Sequence, residues 1–385
     1  MVALVRKNRH ILMYGKAGIP MHYHLMLTDQ CNLECRYCYE KSLLDCETPS
    51  RFEYDFSAPS VFSADIENLK RFLEKDSDPV IIFYGGEPLL ELKKMMDIMD
   101  CIDVPYRMQT NGLLLDKVPQ EYMKRIGRIL VSLDGDKERT DYNRGVAVYE
   151  RVMKNIRSIQ PWYHGEIVAR MTVAQDCPDI FEQVTFLVKA GFQSVHWQLD
   201  AGFYGFDFDE ERFGRFVEEY NRSIGRLVAF WVTALKKGTV LRLYPFVGIV
   251  SSLLHRETTR LRCGAGHAGY CITTDGRIVA CPIGSFITDF VAGDLETHPE
   301  DLKKFDVSGR CLECTMRGIC GGRCLYWNKA NLWPKRGNEL ICKTVFHLVK
   351  ELKDAVPAIE KMILHGEVRK EDFAHEKYFG PEIIP

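Results

Sequence analysis

The sequence predicts an α/β protein, a partial (β/α)6 TIM-like barrel followed by a cysteine-rich C-terminal domain. Six short apolar runs alternate with helical patterns between residues 22 and 200, as in βαβ units that build a parallel sheet. Polar and glycine-containing motifs follow these runs, at the strand ends where barrels of this type place their functional residues. Eleven of the 14 cysteines fall within residues 31–38 and 263–342, which favours metal ligation over scattered thiols.

The predicted strands are short and apolar, and the segments between them have helical spacing. HYHLML at 22–27 alternates polar with apolar residues, whereas VIIFYGG at 80–86 is continuously apolar, as in a strand buried on both faces. Ser63 is the expected N-cap of the first helix. The other strands are predicted at 106–112, 128–135, 166–173 and 194–200, and the helices at 62–75, 89–100, 119–126, 146–159 and 178–190.

The second half of the chain has a different pattern. Residues 209–237 predict a long helix with Gly238 as its C-cap, and a helical tail from 343 is expected to break at Pro357. Residues 261–342 have little apolar periodicity, so bound metal would supply stability that this segment lacks. We expect an N-terminal cap at 1–20, the barrel at 21–208, a helical connector at 209–260, the cysteine-rich domain at 261–345 and a helical tail at 346–385.

The composition argues against several classes of function. Hydrophobic residues make up 46% of the chain and charged residues 27%, as in ordinary soluble proteins. The formal net charge of −2 gives no field that would attract nucleic acid or an anionic membrane. No apolar run is long enough to span a bilayer, and no signal peptide is predicted. The expected location is the cytoplasm.

Cys31, Cys35 and Cys38 offer three thiolate ligands at the spacing C-x3-C-x2-C. A closed zinc site or a fully held iron–sulfur cluster uses four protein ligands. Three ligands therefore suggest a cubane with one iron open to a small molecule, and the alternative is a partial zinc site that borrows a distant ligand. The cysteines outside the two groups are expected to be ordinary core or surface thiols: Cys46, Cys101 and Cys177.

The stretch around these three cysteines resembles the radical SAM superfamily. Its C-x3-C-x-φ-C pattern, with Tyr37 at φ, follows the first predicted strand, and GGEP at 85–88 follows the second. The resemblance implies that the cysteines form the catalytic centre. They would hold a 4Fe–4S cluster whose open iron binds S-adenosylmethionine (SAM) through its amino and carboxylate groups. Reductive cleavage of SAM would then give a 5′-deoxyadenosyl radical that abstracts hydrogen from a substrate.

The same resemblance assigns contacts with SAM to residues near the strand ends. Gly85 and Gly86 would let the backbone approach the ligand closely, and Glu87 would accept from the SAM ammonium. Tyr37 would flank the adenine, and Asn111 of QTNG would face the ribose.

Two residues associated with the fourth strand complete this set. Ser132 lies in VSLDG at the end of the strand, and Arg144 in DYNRG matches an arginine that pairs with the SAM carboxylate in family members. Alternatives stay open, because turn chemistry would also explain Ser132 and Asn111, and a surface salt bridge would explain Arg144.

The C-terminal cysteines resemble the SPASM extension of radical SAM enzymes. Cys263 is followed by twelve residues, Gly276, four residues and Cys281, and later by C-x2-C-x5-C-x3-C-x17-C. The resemblance implies two auxiliary 4Fe–4S clusters. One would be held completely by Cys311, Cys314, Cys320 and Cys342. The other would be held by Cys263, Cys281 and Cys324 with Cys271 as the candidate fourth ligand, or would keep an open iron if Cys271 points into the core. Zinc ribbons are the alternative for this region.

The resemblance implies a peptide-modifying enzyme with three 4Fe–4S clusters and SAM as cofactors. Expected products are crosslinks, epimerisation or oxidation of a peptide or protein side chain, with electrons from a low-potential donor such as ferredoxin or flavodoxin. The stretch before the first strand is too short for a leader-recognition element, so a separate leader-peptide recognition protein is a candidate partner. Pro282 stands where sulfatase-maturing members carry a basic aspartate, which argues against formylglycine formation.

Two other functions remain open. A radical SAM enzyme acting on a small molecule or cofactor precursor would share these motifs, and a closed pocket would favour it over an open peptide groove. A multi-cluster electron-transfer protein would need no SAM site. The segment AGFYGFDFDEE at 201–211 would line the barrel mouth or pack against the long helix that follows.

Overall fold

The computed structural model describes residues 19–39 and 51–385 of the chain. The predicted cap at 1–20 lies almost entirely outside the described residues, as does Cys46. A ten-stranded sheet forms the centre of the described part. Its strands are β1 (Met21–Met26), β2 (Pro79–Tyr84), β3 (Tyr106–Thr110), β4 (Ile126–Ser132), β5 (Glu166–Val173), β6 (Ser194–Leu199), β7 (Arg242–Leu243), β8 (Gly269–Ile272), β9 (Arg277–Val279) and β10 (Val291–Asp294).

Helices connect the strands and form the C-terminal part of the described chain. They are α1 (Ile66–Glu74), α2 (Leu92–Cys101), α3 (Gln120–Met123), α4 (Lys137–Arg144), α5 (Val148–Ile159), α6 (Ile180–Lys189), α7 (Glu210–Leu235), α8 (Tyr244–His255), α9 (Arg317–Cys320), α10 (Leu325–Ala330) and α11 (Lys335–Leu364). Within the described ranges, none of these helices is both long and apolar enough to serve as a membrane span.

The sheet is mostly parallel and its strands lie in the order β10-β9-β8-β1-β2-β3-β4-β5-β6-β7. Strands β1 to β7 are consecutive parallel neighbours, which confirms the predicted α/β fold. Strand β8 pairs in parallel with β1, and β9 and β10 continue the sheet with antiparallel pairing. The cysteine-rich region therefore adds strands to the same sheet. Because the sheet crosses the predicted boundary at residue 261, the domain limits stay a prediction.

Charged residues close the end of the sheet at which the parallel strands begin. Glu376, in the segment after α11, reaches three strands: its Oε1 lies 2.9 Å from His22 Nε2 on β1, Arg107 Nε on β3 donates to its Oε2 at 3.2 Å, and Arg128 on β4 also donates to it. Arg128 further pairs with Glu166 on β5. The C-terminal segment thus fills this end of the sheet with a buried, paired carboxylate.

An apolar layer separates this charged cluster from the cavity at the other strand ends. Side chains two residues apart along a strand share one face, so Leu130 and Val168 of this layer lie one step beyond Arg128 and Glu166. Its members are Ile82, Leu130, Val168, Tyr244 and Phe379, each at most 2% exposed. The layer makes the lower part of the sheet interior a packed core, as in barrels of this kind.

Three local predictions differ from the structure. Asp65, not Ser63, caps α1, because its side chain accepts from Glu67 N. Helix α4 forms where no helix was predicted. Helix α11 runs through Pro357 without a break, because buried residues on both sides of the proline, including Leu352 and Ile359, keep one packed face. That packing offsets the single hydrogen bond that a proline removes.

Candidate functional site

A cavity of about 250 Å³ lies at the carboxyl ends of the parallel strands, where the sequence motifs meet. It is lined by the three-cysteine loop, by residues that end or follow strands, and by cysteines of the C-terminal region. The predicted site residues on its wall are Cys31, Cys35, Tyr37, Cys38, Gly85, Gly86, Asn111, Ser132, Arg144, Cys263, Cys281 and Cys324. Thus twelve residues chosen from separate motifs share one cavity.

The cysteine loop is fixed from outside by α4 and the strand-end loop after β5. Arg36 N donates to Asn143 O at 2.9 Å, and the Arg36 guanidinium lies 3.9 Å from the centre of the Tyr142 ring. Arg36 also forms a salt bridge with Asp176 at 3.0 Å. The residue between Cys35 and Tyr37 is therefore an anchor that holds the ligand loop in place, a role the sequence reading missed.

Gly85 and Gly86 pack against the backbone of the cysteine loop. A Cβ on Gly85 would stand 2.2 Å from Thr28 O, and one on Gly86 would stand 2.2 Å from Gln30 O. Gly86 N donates to Thr28 O at 2.9 Å. The sequence reading attributed these glycines to close approach of a ligand. Both do line the cavity, but the contact that excludes a side chain is with the loop itself.

Glu87 lies behind the cavity wall and is fully buried. Its carboxylate accepts from Asn111 N at 2.7 Å, from Thr110 Oγ1 at 2.8 Å and from Leu89 N at 3.0 Å. Burial raises the pKa of Glu87 to about 7 despite these donors. The described contacts give Glu87 the role of holding the QTNG turn, and direct contact with a SAM ammonium stays a prediction.

Asn111 connects this turn to the cysteine loop. Its Nδ2 donates to Asn32 Oδ1 at 2.7 Å and lies 3.9 Å from Cys31 Sγ. Its Oδ1 accepts from Leu113 N at 3.0 Å, so the turn chemistry weighed as an alternative is present. Because the side chain also borders the cavity, one residue serves both the turn and the wall.

Arg144 forms a bidentate pair with Asp134, not a surface salt bridge. Its Nε and Nη2 donate to the two carboxylate oxygens at 3.1 and 3.0 Å, and both side chains are buried. The Tyr37 hydroxyl donates to the same carboxylate. Burial opposes the charge, but Asp134 raises the pKa of Arg144 and keeps it cationic. Asp134, missed in the sequence reading, therefore orients two predicted SAM contacts.

Cys271 differs from the three cysteines with which it was grouped in that it does not line the main cavity. It belongs to β8, is fully buried, and does not border the cavity that Cys263, Cys281 and Cys324 line. Burial raises the pKa of its thiol. Cys271 pairs in register with His24, which borders the cavity, so both versions of its role stay predictions.

A second, smaller cavity brings together the other four predicted ligands. It is lined by Cys311, Cys314, Cys320 and Cys342, with apolar walls that include Trp327. Arg310 Nη2 donates to Cys342 Sγ at 3.5 Å. Four thiols from α9, α11 and the loop before α9 therefore face one enclosed space.

The donor sets fit iron–sulfur clusters. Burial raises the pKa of Cys320 to about 11 and that of Cys263 to about 12, because a thiolate there loses its hydration. A bound cationic metal centre would stabilise these thiolates. Among the described residues, no three His, Cys, Asp or Glu side chains converge tightly enough for a single ion.

Several cavity residues were not predicted to be site residues. They are Gln109, Arg170, Gln198, Asp200 and Tyr204, on β3, β5 and β6 or just beyond β6. Two-residue alternation along these strands was the signal that could have found the first three, because it places them on the same face as Ser132. Phe203 and Tyr204 also show that the segment at 201–211 lines the cavity, while Phe208 packs on Trp333 beside α7.

Comparison with known proteins identifies the first part of the chain. Residues 25–161 match the family model of the radical SAM superfamily. An uncharacterised protein of Archaeoglobus fulgidus is 26% identical, covering 89% of this chain and 81% of that protein. The radical SAM cyclopropyl synthase TigE of Paramaledivibacter caminithermalis is 19% identical, covering 78% of this chain and 67% of TigE. The Fe-coproporphyrin III synthase of Methanosarcina barkeri is 30% identical, over 45% of this chain and 43% of that protein.

A solved structure extends the likeness over most of the fold. Native anSMEcpe with bound AdoMet and the Kp18Cys peptide superimposes with a TM-score of 0.65 at 16% identity, covering 88% of this chain and 99% of that chain. The fold prediction is confirmed at this level. The 4Fe–4S cluster and SAM are the cofactors of the superfamily, and the thiols at 31–38 supply the donors it needs. The chain therefore carries a radical SAM domain, on a fold that it shares with anSMEcpe.

Proposed function

We propose that the protein is a radical SAM enzyme that modifies a side chain of a peptide or protein. The observation that carries the proposal is the single cavity shared by the three-cysteine loop, the residues predicted to contact SAM, and three cysteines of the C-terminal region. An electron-transfer protein has no need of such a cavity. Residues 25–161 and the shared fold with a peptide-bound structure support the same proposal.

The residues of the chain take distinct roles in this mechanism. Cys31, Cys35 and Cys38 hold the 4Fe–4S cluster, and Arg36 fixes their loop. When bound, the cluster and SAM supply one-electron cleavage of SAM and abstraction of a substrate hydrogen. Gly85 and Gly86 let the loop lie against the end of β2.

The remaining SAM contacts are prearranged by hydrogen bonds. Asp134 holds Arg144 and Tyr37, with two Arg144 donors already engaged. A guanidinium has five N–H groups, so Arg144 keeps donors for the SAM carboxylate beside Ser132. Asn111 is held by the turn that Glu87 anchors. Orientation before binding lowers the entropic cost of placing SAM for reaction.

Two auxiliary 4Fe–4S clusters complete the proposal. Cys311, Cys314, Cys320 and Cys342 close one cluster in the second cavity. The other is held by Cys263, Cys281 and Cys324 on the main cavity, where it would accept an electron from the substrate or bind it. A ferredoxin or flavodoxin is the proposed electron donor, with a separate leader-peptide recognition protein as a further partner. Oxygen-sensitive thiolate clusters favour a reducing cytoplasm.

A small molecule or cofactor precursor is the second candidate substrate. The main cavity of about 250 Å³ is close in size to the smallest small-molecule pockets, which start at about 300 Å³. The likeness to a protein named Fe-coproporphyrin III synthase also favours it, although that likeness covers less than half of each chain. Both candidates use the same SAM chemistry, so substrate assays decide between them.

The first test is cluster loading and SAM cleavage. Protein reconstituted without oxygen should bind about twelve irons, the sum of three cubanes. After reduction it should convert SAM to 5′-deoxyadenosine, measured by liquid chromatography and mass spectrometry. Cys31→Ala should abolish cleavage, whereas Cys101→Ala changes an exposed thiol away from the site and should leave it intact. Binding of far fewer irons, or no SAM cleavage by reduced protein, would refute the proposal.

The second test identifies the substrate. Deuterium-labelled peptides encoded near the gene and labelled small-molecule candidates are incubated with reduced enzyme and SAM. Transfer of deuterium from a peptide side chain into 5′-deoxyadenosine supports peptide modification. Deuterium transfer from a small molecule alone would instead support the second candidate substrate, a small molecule or cofactor precursor.

A further inference from the structure

The main cavity contains a guanidinium that no carboxylate neutralises. Arg170 lies on β5, borders the cavity and is partly buried. Its Nη1 donates to Gln109 Oε1 at 3.0 Å and its Nη2 to Gln198 Oε1 at 2.8 Å. Both partners are neutral amides from the neighbouring parts of the sheet. Among residues 19–39 and 51–385, no Asp or Glu oxygen lies within ion-pair distance of Arg170.

Other arginines of the sheet interior are paired differently. Arg128 contacts both Glu166 and Glu376, and Arg144 pairs with Asp134. Buried charges in proteins are ordinarily paired in this way, because an isolated ion loses its hydration. Burial accordingly lowers the pKa of Arg170, and the ionisable groups that also affect it are Tyr84, Arg144, Cys263 and Tyr37. None of these is a carboxylate.

A buried histidine beside Arg170 lacks hydrogen-bond partners. His196 is the residue of β6 that pairs with Arg170 in the strand register, and it is fully buried. Neither of its ring nitrogens has a hydrogen-bond partner in the described structure. Burial and the Arg170 charge lower the pKa of His196 well below its usual value, so the imidazole is neutral. Arg170 on β5 and His196 on the adjacent β6 therefore both have polar atoms that are free to bind a ligand.

Arg170 lies beside one predicted SAM contact, because it pairs in register with Ser132 of β4, but its side chain is held by residues of β3 and β6. Arg170 lies within β5, three residues before the strand ends at Val173. The cysteine loop, Gly86 and Asn111 all follow the ends of their strands. Two of the five guanidinium N–H groups bond to the glutamines, which leaves donors for the planar, two-oxygen geometry that arginine recognises.

We propose that Arg170, held by Gln109 and Gln198, binds a carboxylate of the substrate within the sheet interior. This inference rests on the proposed function and narrows it, because it names an acidic group as the feature that the enzyme recognises. The carboxylate comes from an acidic peptide side chain or chain end, or from a small molecule that carries a propionate. Either substrate would be drawn in by the unpaired cation and oriented toward the cysteine loop.

Binding of simple probes tests the site without requiring turnover. Equilibrium dialysis at high protein concentration, with the reconstituted protein and SAM, compares ¹⁴C-propionate with ¹⁴C-propionamide, its neutral isostere. We expect propionate to bind at least tenfold more tightly than propionamide. Arg170→Gln should remove this preference, and Arg170→Lys, which keeps the charge but loses the fork, should retain part of it. Arg215→Gln, at an exposed residue of α7, is the matched control.

Three results would overturn the inference. The first is equal binding of propionate and propionamide to the unaltered protein, a comparison that needs no variant to fold. The second is an undiminished propionate preference in Arg170→Gln. The third is a loss of SAM affinity in Arg170→Gln as large as the loss of propionate affinity, because Arg170 would then serve the SAM carboxylate. Since propionate binding is read without SAM cleavage, failure of the proposed function and failure of the anion site remain distinguishable.

Blocked amino acids then identify the source of the carboxylate. N-acetylglutamate methylamide is compared with its glutamine counterpart, and N-acetylalanine with N-acetylalaninamide. A preference for the first acid supports an acidic side chain, and a preference for the second supports a chain end. Propionate binding without either preference supports a small-molecule propionate. Each of these acid preferences must disappear in Arg170→Gln, and persistence in the variant contradicts the assignment.

Discussion

Glu376 offers a direct test of how the C-terminal segment stabilises the fold. The carboxylate is 3% exposed and meets Arg107, Arg128 and His22. Although burial opposes ionisation, His22, Arg128 and Arg107 hold the pKa of Glu376 well below its usual range. Glu376→Gln keeps the shape of the side chain and removes the charge, so it leaves two arginines facing a neutral amide.

The structure sets the size of the expected effect. Removing one partner of a buried ion pair costs about 3–5 kcal/mol, because the remaining charge stays desolvated. Arg107 is 13% exposed and Arg128 keeps Glu166, so both remaining charges are partly compensated. We therefore expect Glu376→Gln to lower the free energy of unfolding by about 3 kcal/mol, at the lower end of that range.

Urea unfolding followed by circular dichroism measures this loss. Glu371→Gln, an exposed position in the same segment, is the control and should change stability by less than about 0.5 kcal/mol. The double variant Arg107→Gln with Glu376→Gln should lose less free energy of unfolding than the sum of the two single variants. In Arg107→Gln alone, the Glu376 charge loses a partner, and Glu376→Gln then removes that charge. A loss below about 1 kcal/mol for Glu376→Gln, or strict additivity in the double variant, would refute this account of the charged cluster.

Three further predictions concern the ligand loop, the auxiliary cluster and pH. Gly86→Ala should displace the loop and lower bound iron by about four atoms per chain, one cubane, whereas Gly214→Ala, in open space on α7, should leave iron content unchanged. Cys271→Ala should keep the full iron content, whereas Cys281→Ala should lower it; equal losses would make Cys271 a ligand. Burial opposes ionisation of Glu166, but Arg128 and Arg242 lower its pKa from 4.5 to about 2. The free energy of unfolding, measured with urea, should therefore be constant above pH 4.5 and should fall as the pH is lowered toward 2. A stability that does not change between pH 4.5 and pH 2 would contradict this prediction.

The strands were readable because apolar runs and βαβ spacing are local signals. The prediction for 166–173 matches β5 residue for residue, and those for the other strands differ by one to three residues at their ends. Helix α4 was missed because KERTDYNR has hardly any apolar residues to reveal a helical period. The Asp136 side chain caps helix α4 by accepting a hydrogen bond from Arg139 N. Asn143 of this helix then binds the cysteine loop through the backbone of Arg36. Contacts of that kind depend on distant parts of the chain.

The site was predictable to the extent that each residue lay in a recognisable motif. The predicted cluster cysteines line the two cavities, apart from Cys271. Gly85, Gly86 and Asn111 of the GGEP and QTNG stretches reach the main cavity, whereas Glu87 does not. Asp134 and Arg170 were not found, because their importance depends on partners from other strands. The reason for the glycine pair was also misread, since only the structure shows the carbonyls of Thr28 and Gln30 behind them.

The pairing of β8 with β1 has a consequence for how the chain can be assembled. Strand β1 leads into the cysteine loop, and its two neighbours come from residues 79–84 and 269–272. An unpaired strand edge invites association with other chains, so β1 stays vulnerable until the C-terminal region has been synthesised and has docked. Expressing the barrel without the cysteine-rich region would therefore remove β8, one of the two strands that support β1 and the cysteine loop after it. The cysteine-rich region therefore covers the exposed edge of β1, in addition to supplying thiols.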